Sequence, residues 1–549
     1  MPALLRPVRD ATNMERFSGS KLRQAVRILV FHGYLLRGTG SNVYNASLAA
    51  ALVELGHEVH LLCQEPDPWE LGFVDAVGAW EGGGLRVQER SSRVRCTVYC
   101  PDIHGLLPVY VADRYAGVQA RPFPELDDLE LDRYLHANVE AVAEVAARTR
   151  PDVALANHLV MGPLILARGL AGTGVPYAVK VHGSALEYTV KPHPRFLPHA
   201  REGLAGARCV LVGSRHTGES LWEALGDREL PQRTRLGPPG VDVTAFAPRE
   251  RADARARVER LRERLAHAAP ATGPDDSAFA RDTDAAAQAL GRLDLESDRI
   301  VVFVGKLLVA KGVDLLLAAW PLVVERVPAA RLVLVGFGAF ADGARELVAR
   351  LGEGDLAGVR RFAASAREGD AEARPLRHLL EFLDALEADR DGRERYARAA
   401  IAAAQRVVFT GRLEHDELAE LLPAGEALVV PSTFPEAYGM VAAEAAACGV
   451  LPVSAEHSGL AEVSRGLARD VPAQARDWLS FSLGARAVAD LAGCLNGWLA
   501  APEDLRDGTR DALVTAARRR FSWEGVAEGV IAAAEGRLEE LPELPVEPA

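Results

Sequence analysis

The chain has 549 residues, enough for two large domains or three ordinary ones. Its 49% hydrophobic and 25% charged residues exclude a disordered or fibrous chain and predict a soluble globular protein. A net charge of -13 argues against nucleic acid as a general partner, because phosphate backbones are held by basic surfaces.

No apolar run reaches the roughly 18 to 20 residues of a membrane-spanning helix. Residues 1–24 have neither a continuous apolar stretch nor a small-residue cleavage site, so they read as an N-terminal extension rather than a secretory signal. The cysteines (Cys63, Cys96, Cys100, Cys209, Cys448, Cys494) follow no framework spacing, which predicts free thiols in a reducing, cytoplasmic compartment. Cys96 and Cys100 alone, with no second ligand pair, do not predict a metal site.

VRILVFHG (26–33) is a short apolar run ending in glycine. SNVYNASLAAALVELG (41–56) then sets Val43, Leu48, Leu52 and Leu55 along one helical stripe, and HEVHLLCQ (57–64) is a second strand candidate. The three make a βαβ unit. PDVALANH (151–158), VPYAVKVHG (175–183) and CVLVGS (209–214) repeat the pattern, giving a first domain over 25–242. LGPPGVDVTAFAP (236–248) reads as a connector, and 243–298 as connector plus a charged, alanine-rich helical insertion.

RIVVFVGK (299–306), ARLVLVGFG (330–338), RVVFTG (406–411), ALVVPS (427–432) and VLPVSA (450–455) predict a second domain over 299–520, with a helical excursion at about 341–405. Phe521, Trp523, Val526 and Val530 suit a final helix over 521–537 that crosses back to the first domain, and 538–549 is expected to be a mobile tail. The predicted fold class is α/β: two doubly wound, Rossmann-like domains facing across a cleft, with helical insertions in the second half. Ligands bind such sheets at the carboxyl ends of the strands.

PEAYGMVAAEAAACG (435–449) follows the strand ALVVPS. Glu436 falls in the loop and Glu444 more than a turn inside the helix that begins near Gly439. The free amides around Gly439, Met440 and Val441 would form an anion site between the two acids. A diphosphate with a sugar at each end fits that order. The small residues Ala442, Ala443, Ala445, Ala446 and Ala447 let the helix approach sheet and ligand closely. GKLLVAKGVDLLL (305–317) places Lys306 and Lys311 at another strand end, where two ammonium groups neutralise a diphosphate. Read alone, the two acids fit ordinary loop and helix-surface positions better than a site, and the two lysines are also compatible with the surface.

Taken together, these stretches resemble the retaining glycosyltransferases of the GT-B fold, family 4, also called glycosyl transferases group 1. Glu436 and Glu444 match that family's paired acids, which have seven residues between them. Its basic pair is usually Arg and Lys; Lys306 and Lys311 keep the charge and lose the bidentate guanidinium. RGTGSNVYNASLAAALVELGHEV (37–59) resembles the first loop and helix, with Gly38 and Gly40 near the diphosphate. GPPGVDVTAFAP resembles the interdomain segment, Gly336, Phe337 and Gly338 a turn at the nucleotide base, and SAEHSGLAEVS (454–464) the loop beyond the paired acids. There Ser458 and Gly459 precede Glu462 where the family more often has two glycines. His182 matches the family histidine that faces the donor sugar. His158 and His32 also end strands toward the cleft and rank below it.

The resemblance implies transfer of a sugar from a nucleotide-diphosphate sugar to a hydroxyl acceptor with retention at the anomeric carbon. His182, Glu436, Lys306 and Lys311 are the implied catalytic residues. Gly38, Gly40, Gly305, Gly336, Phe337, Gly338, Tyr438, Gly439, Met440, Val441 and Glu444 are the implied donor-binding residues. Glu436 would orient sugar hydroxyls and Glu444 would hold the ribose. No metal or other cofactor is expected, and Asp282, Asp284, Asp389 and Asp391 read as surface acids of the helical segments. A nucleotide-sugar epimerase, a phosphorylase and a non-catalytic sugar-nucleotide sensor are the alternatives. The acceptor is unspecified; it would be chosen by first-domain loops such as LPVYVADRYAG (107–117) and TVKPHPRFLPHAREG (189–203). The second of these is basic but is expected to be solvated rather than to bind lipid. A monomer or homodimer is expected, with hinges near Gly240 and before the last helix.

Overall fold

A computed structural model describes residues 25–82, 84–110, 119–268, 281–365 and 375–544. The predicted N-terminal extension (1–24), most of the loop 107–117 and the last five residues of the tail lie outside these, as do parts of the two helical segments.

In the first domain β1 (Arg27–Phe31), α1 (Gly40–Glu54) and β2 (Glu58–Leu62) form the expected parallel unit. There follow β3 (Ala76–Glu81), β4 (Gly84–Glu89), β5 (Cys96–Cys100), and the short pair β6 (Leu106–Val109) and β7 (Gln119–Pro122). Next come α2 (Asp128–Thr149), β8 (Val153–Asn157), α3 (Gly162–Gly169), β9 (Tyr177–Val181), α4 (Leu197–Ala205), β10 (Cys209–Val212), α5 (Arg215–Leu225) and β11 (Thr234–Leu236).

Among the described residues the sheet runs β11-β10-β9-β8-β1-β2-β5-β3-β4, and only β3 and β4 pair antiparallel. The sequence reading does not contain β3, β4 or β5 as strands of this sheet. β4 buries only Leu85 fully and leaves Arg86–Glu89 exposed, so it lacks the apolar run of a central strand.

The second domain begins with α6 (Arg251–Ala266) and α7 (Thr283–Leu290). The described parts of the predicted insertion are not an appendage. Val258, Leu261, Leu265, Ala286 and Leu290 share one buried cluster with the sheet residues Val301 and Val302. The chain continues through β12 (Arg299–Val304), α8 (Val313–Arg326), β13 (Ala330–Val335), α9 (Ala341–Gly352), α10 (Leu356–Ala364), α11 (Arg377–Glu387) and α12 (Arg390–Ala404). It then forms β14 (Val407–Gly411), α13 (His415–Leu421), β15 (Ala427–Val430), α14 (Met440–Ala447), β16 (Leu451–Ala455), α15 (Ser458–Ala468) and β17 (Ser480–Phe481). This sheet is wholly parallel in the order β14-β13-β12-β15-β16-β17, and its middle strands are buried on both faces. The reversals of strand order, between β8, β1 and β2 and between β13, β12 and β15, place both crevices at the same cleft.

The chain closes with α16 (Ala487–Leu499), α17 (Glu503–Arg520) and α18 (Trp523–Glu535). α18 lies on the first sheet, with Ala527, Val530, Ile531 and Ala533 buried against Ile28, Val30 and Ala178. The two interdomain crossings run side by side: Val241 N donates to Phe521 O at 2.7 Å, and Val241 bridges Ser522. A side chain at Gly240 would strike the Trp523 indole at 2.5 Å.

Residues 538–544 are not a free tail. Leu541 is 8% exposed in the same cluster as α18, Leu236 N donates to Pro542 O at 2.9 Å, and Arg235 Nε donates to Leu538 O at 3.1 Å. The open edge of β11 and an apolar notch attract a segment that composition alone marks as mobile. The basic stretch 189–203 is similarly occupied: Lys191 pairs with Glu187 at 2.9 Å, and Arg195 donates to Leu126 O at 2.6 Å.

The two domains touch across the cleft. Glu462 on α15 accepts from Arg215 N and His216 N at 2.9 and 3.0 Å, capping the first turn of α5. Tyr188 stacks on Phe434 at 4.9 Å. Ala437 fits against two glycines: a Cβ at Gly183 or Gly213 would come within 2.9 Å of it. Gly213→Val should therefore wedge the domains apart. Small-angle scattering is expected to show a larger radius of gyration for the variant; an unchanged profile would count against this seating.

Candidate active site

A cleft of about 950 Å³ lies between the carboxyl ends of the two sheets. Its first-domain wall comes from the loops after β1, β8, β9 and β10, and its second-domain wall from those after β12, β13, β14 and β15.

The second-domain wall is organised by α14. Gly439 takes φ +132 as its N-cap, and no side chain caps the helix. The amides of its first turn therefore face the cleft with the positive end of the helix dipole. Ala442, Ala443, Ala445 and Ala446 are fully buried, so the helix packs closely on β15 and β16. On the other side of the cleft Gly40 opens α1, and a Cβ there would be 3.8 Å from Met440 Sδ. The starts of two helices thus converge.

Glu436 precedes this helix start, half-buried. Lys311 Nζ donates to its Oε1, and Ser432 Oγ donates to the same oxygen at 2.7 Å. Its backbone N–H donates to Ser458 Oγ at 2.9 Å. Burial alone would raise its pKa, but Lys311, Ser432 and the nearby His457 hold it below the ordinary glutamate value. It is a fixed carboxylate.

Glu444 is 3% exposed and accepts from His415 Nε2 at 2.9 Å. His415 leads α13 and packs on Phe246 from the connector, ring centroids 4.7 Å apart. Burial opposes its charge, yet Glu444, Asp242 and Asp416 together raise its pKa. Lys306 lies 5.9 Å from the centre of the Phe337 ring. Gly336, at φ +156, passes so close to β12 that a Cβ would fall 1.9 Å from Gly305 O.

On the first-domain wall His182 Nε2 is 2.8 Å from Asn157 Oδ1, and its ring meets Tyr44 and His158 at 5.0 Å. Burial, then His158, Lys180 and His32, push the His182 pKa far down, so the imidazole is neutral. Lys180 beneath it is 2% exposed; burial lowers its pKa to about 7. It donates to Gly237 O and lies 5.6 Å from the Tyr44 ring.

Of the residues singled out from sequence, His182, Glu436, Lys306, Lys311, Gly38, Gly40, Gly305, Gly336, Phe337, Tyr438, Gly439, Met440, Val441 and Glu444 all line this cleft. Gly338 does not; at φ +144 it packs against Leu307 O and shapes the turn. His158 lines the cleft, but His32 does not. Its Nε2 meets Leu35 O and Asn42 and its Nδ1 meets Asn45, so it holds the loop into α1.

Asp282 and Asp389 are helix N-caps, accepting from Ala285 N and Gly392 N. Among the described residues no three His, Cys, Asp or Glu side chains cluster as metal ligands, and no helix is long and apolar enough to cross a membrane. Asn157, His415 and Ser432 are not among the residues marked by the sequence, and Ser458 is marked there only as a departure from the family's glycines. Each immediately follows or closes a parallel strand or caps the loop beside one, a position that could have flagged them.

The family described as "Glycosyl transferase 4-like domain" matches residues 39–239, and "Glycosyl transferases group 1" matches residues 387–482. The chain belongs to the group 1 glycosyltransferases of the GT-B fold. A D-inositol 3-phosphate glycosyltransferase of Geodermatophilus obscurus is 26% identical over 493 residues, 85% of this chain and 88% of the relative. A Mycobacterium tuberculosis glycogen synthase is 34% identical over 146 residues, which is 25% of this chain and 31% of the relative.

Among solved structures, Anabaena HepE in complex with UDP and glucose superposes with a TM-score of 0.54 at 15% identity, over 94% of this chain and all of that one. An Escherichia coli protein, "Trehalose-6-phosphate … bound with UDP-2-fluoro glucose", gives 0.52 at 12% identity, over 93% and 99%. In this group 1 glycosyltransferase Lys306 and Lys311 lie between the two matched regions.

The His415–Glu444 pair has a pH signature. Because the folded pKa of His415 is raised, the stabilisation is complete below the ordinary histidine value of 6.5 and is lost as pH rises through the raised value. The effect is small, since the His415 side chain is 36% exposed. His415→Gln should lower thermal stability at about pH 6 and leave it nearly unchanged at about pH 9. An equal loss at both pH values would contradict the ion pair.

Proposed function

We propose that this glycosyltransferase works with retention, moving a sugar from a nucleotide-diphosphate sugar to a hydroxyl acceptor. The observation that carries the proposal is the uncapped start of α14 between Glu436 and Glu444, with Lys306 and Lys311 on the same wall. HepE and the Escherichia coli protein, whose structures are described with UDP and with a UDP-fluoro sugar, support a nucleotide-sugar donor.

The diphosphate lies at the start of α14. Glu444, steadied by His415, takes the ribose hydroxyls, and Phe337 with Gly336 borders the base. Glu436 takes hydroxyls of the transferred sugar, which reaches toward His182. The bond between the anomeric carbon and the β-phosphate oxygen breaks with its electron pair going to the phosphate. Lys306, Lys311 and the helix amides stabilise that charge more in the transition state than in the bound donor, which is what accelerates the step.

The acceptor oxygen bonds to the anomeric carbon on the face the phosphate leaves, and its proton passes to a phosphate oxygen. No side chain becomes covalently attached. Glu436 is unsuited to that role, with Oε1 already accepting from Lys311 and Ser432. In this scheme two lysines and a helix dipole supply the positive charge, and no resident metal is needed. Six free cysteines fit a cytoplasmic setting.

Glu436→Gln should lower transfer by about a hundredfold or more while a UDP, GDP or ADP thermal shift persists. Proton NMR of the glycosylated product should show the donor's anomeric configuration. An inverted anomer would overturn the retaining reading. Donor turnover without any acceptor, or release of a sugar phosphate, would replace transfer with epimerase or phosphorylase chemistry.

A further inference from the structure

His182 faces the cleft with one ring nitrogen already committed. Its Nε2 lies 2.8 Å from Oδ1 of Asn157, the fully buried last residue of β8. Asn157 Nδ2 in turn donates to Phe31 O on β1 at 3.3 Å. That second bond decides which way the amide faces. Turned over, it would set Oδ1 against the Phe31 carbonyl, two acceptors with no proton between them, and Nδ2 against the ring.

An amide oxygen only accepts, so His182 Nε2 carries the proton. The ring is neutral and has one proton to place. Nδ1 therefore keeps its lone pair.

We infer that Asn157 is a positioning residue: by accepting from Nε2 it locks His182 in a single tautomer and leaves Nδ1 as a hydrogen-bond acceptor for a sugar hydroxyl in the cleft. The inference rests on reading His182 as a sugar-contacting residue. It adds which nitrogen makes the contact, in which direction the hydrogen bond runs, and which residue sets both.

The hydroxyl that meets His182 must donate. A donor analogue with a methoxy or fluoro group in its place would lose the contact, whereas an unfixed ring could adapt by switching to the tautomer that carries its proton on Nδ1. The groups facing His182 are Asn157 and His158 on or after β8, Lys180 below it on β9, His32 after β1 and Tyr44 on α1. Across the cleft stand Glu436 and Lys311.

Two substitutions separate this role from simple packing. Asn157→Leu removes the acceptor, and kcat should fall about tenfold at all pH values, the equivalent of one hydrogen bond. Asn157→Asp keeps an acceptor toward Nε2 and adds a charge that raises the His182 pKa. Its second oxygen faces Phe31 O in place of the amide N–H, so part of the activity is lost at every pH, but what remains should rise toward alkaline pH along a one-proton limb that the unmodified protein and Asn157→Leu both lack. Equal, pH-independent losses in both variants would reduce Asn157 to a packing role and overturn the inference.

Nitrogen-15 NMR of His182 in the unmodified protein without substrate reads the tautomer directly. Protonated Nε2 with bare Nδ1 is expected; a protonated Nδ1 or a tautomer mixture sinks the proposal. Because this arm needs no turnover, a correct tautomer in a chain that transfers no sugar would disprove the functional reading and leave the tautomer assignment standing.

Discussion

The start of α14 is the constraint around which the rest of the cleft is arranged. Its first amides have no capping side chain, and its alanines leave room for the helix to lie deep against β15 and β16. Unpaired amides at the cleft end of a buried helix make a local positive pole. Acids stand on both sides of that pole, and a lysine pairs with one of them; in the proposed function this makes the helix end an oriented receptor for a phosphorylated ligand with two polar ends.

Three of the polar side chains that line the cleft are each held by neighbours. Glu436 is fixed by Lys311, Ser432 and Ser458, Glu444 by His415, and His182 by Asn157. Such supports reduce the motion lost when a ligand binds, and preorganised charges stabilise a changing charge without having to reorient. The supports come from several strand ends, so the parallel sheets set the accuracy of the site.

The cleft is shaped equally by its closure. Glu462 reaches across to cap α5, Ala437 lies against Gly183 and Gly213, and both chain crossings meet at Val241 and Phe521. The two crossings join the domains along one line beside Gly240, and the glycines define how near the walls can come. The C-terminal segment contributes as well. α18 and residues 538–544 cover the first sheet, tying the end of the chain to its beginning.

The sequence by itself determined the central parallel strands of both domains, because strands buried on both faces must be continuous apolar runs, and RIVVFV or VALAN has no other economical reading. It also determined the glycine and acid positions after those strands, where Glu436, Glu444, Lys306, Lys311 and His182 carry a resemblance strong enough to name a family. What it left open has a common physical reason: the deciding partner is distant in the chain. β3 and β4 are half-exposed and are strands only because β5 offers an edge. The segment 538–544 looks mobile until β11 and an apolar notch give it a place. His32 and His158 look alike in sequence, yet neighbouring asparagines occupy one and the cleft borders the other. The His182 tautomer is set by an amide 25 positions earlier, whose own direction is set by a carbonyl 126 positions before that amide. Patterning along the chain chose the elements; long-range hydrogen bonds and packing chose which side chains face the cleft and in what protonation form.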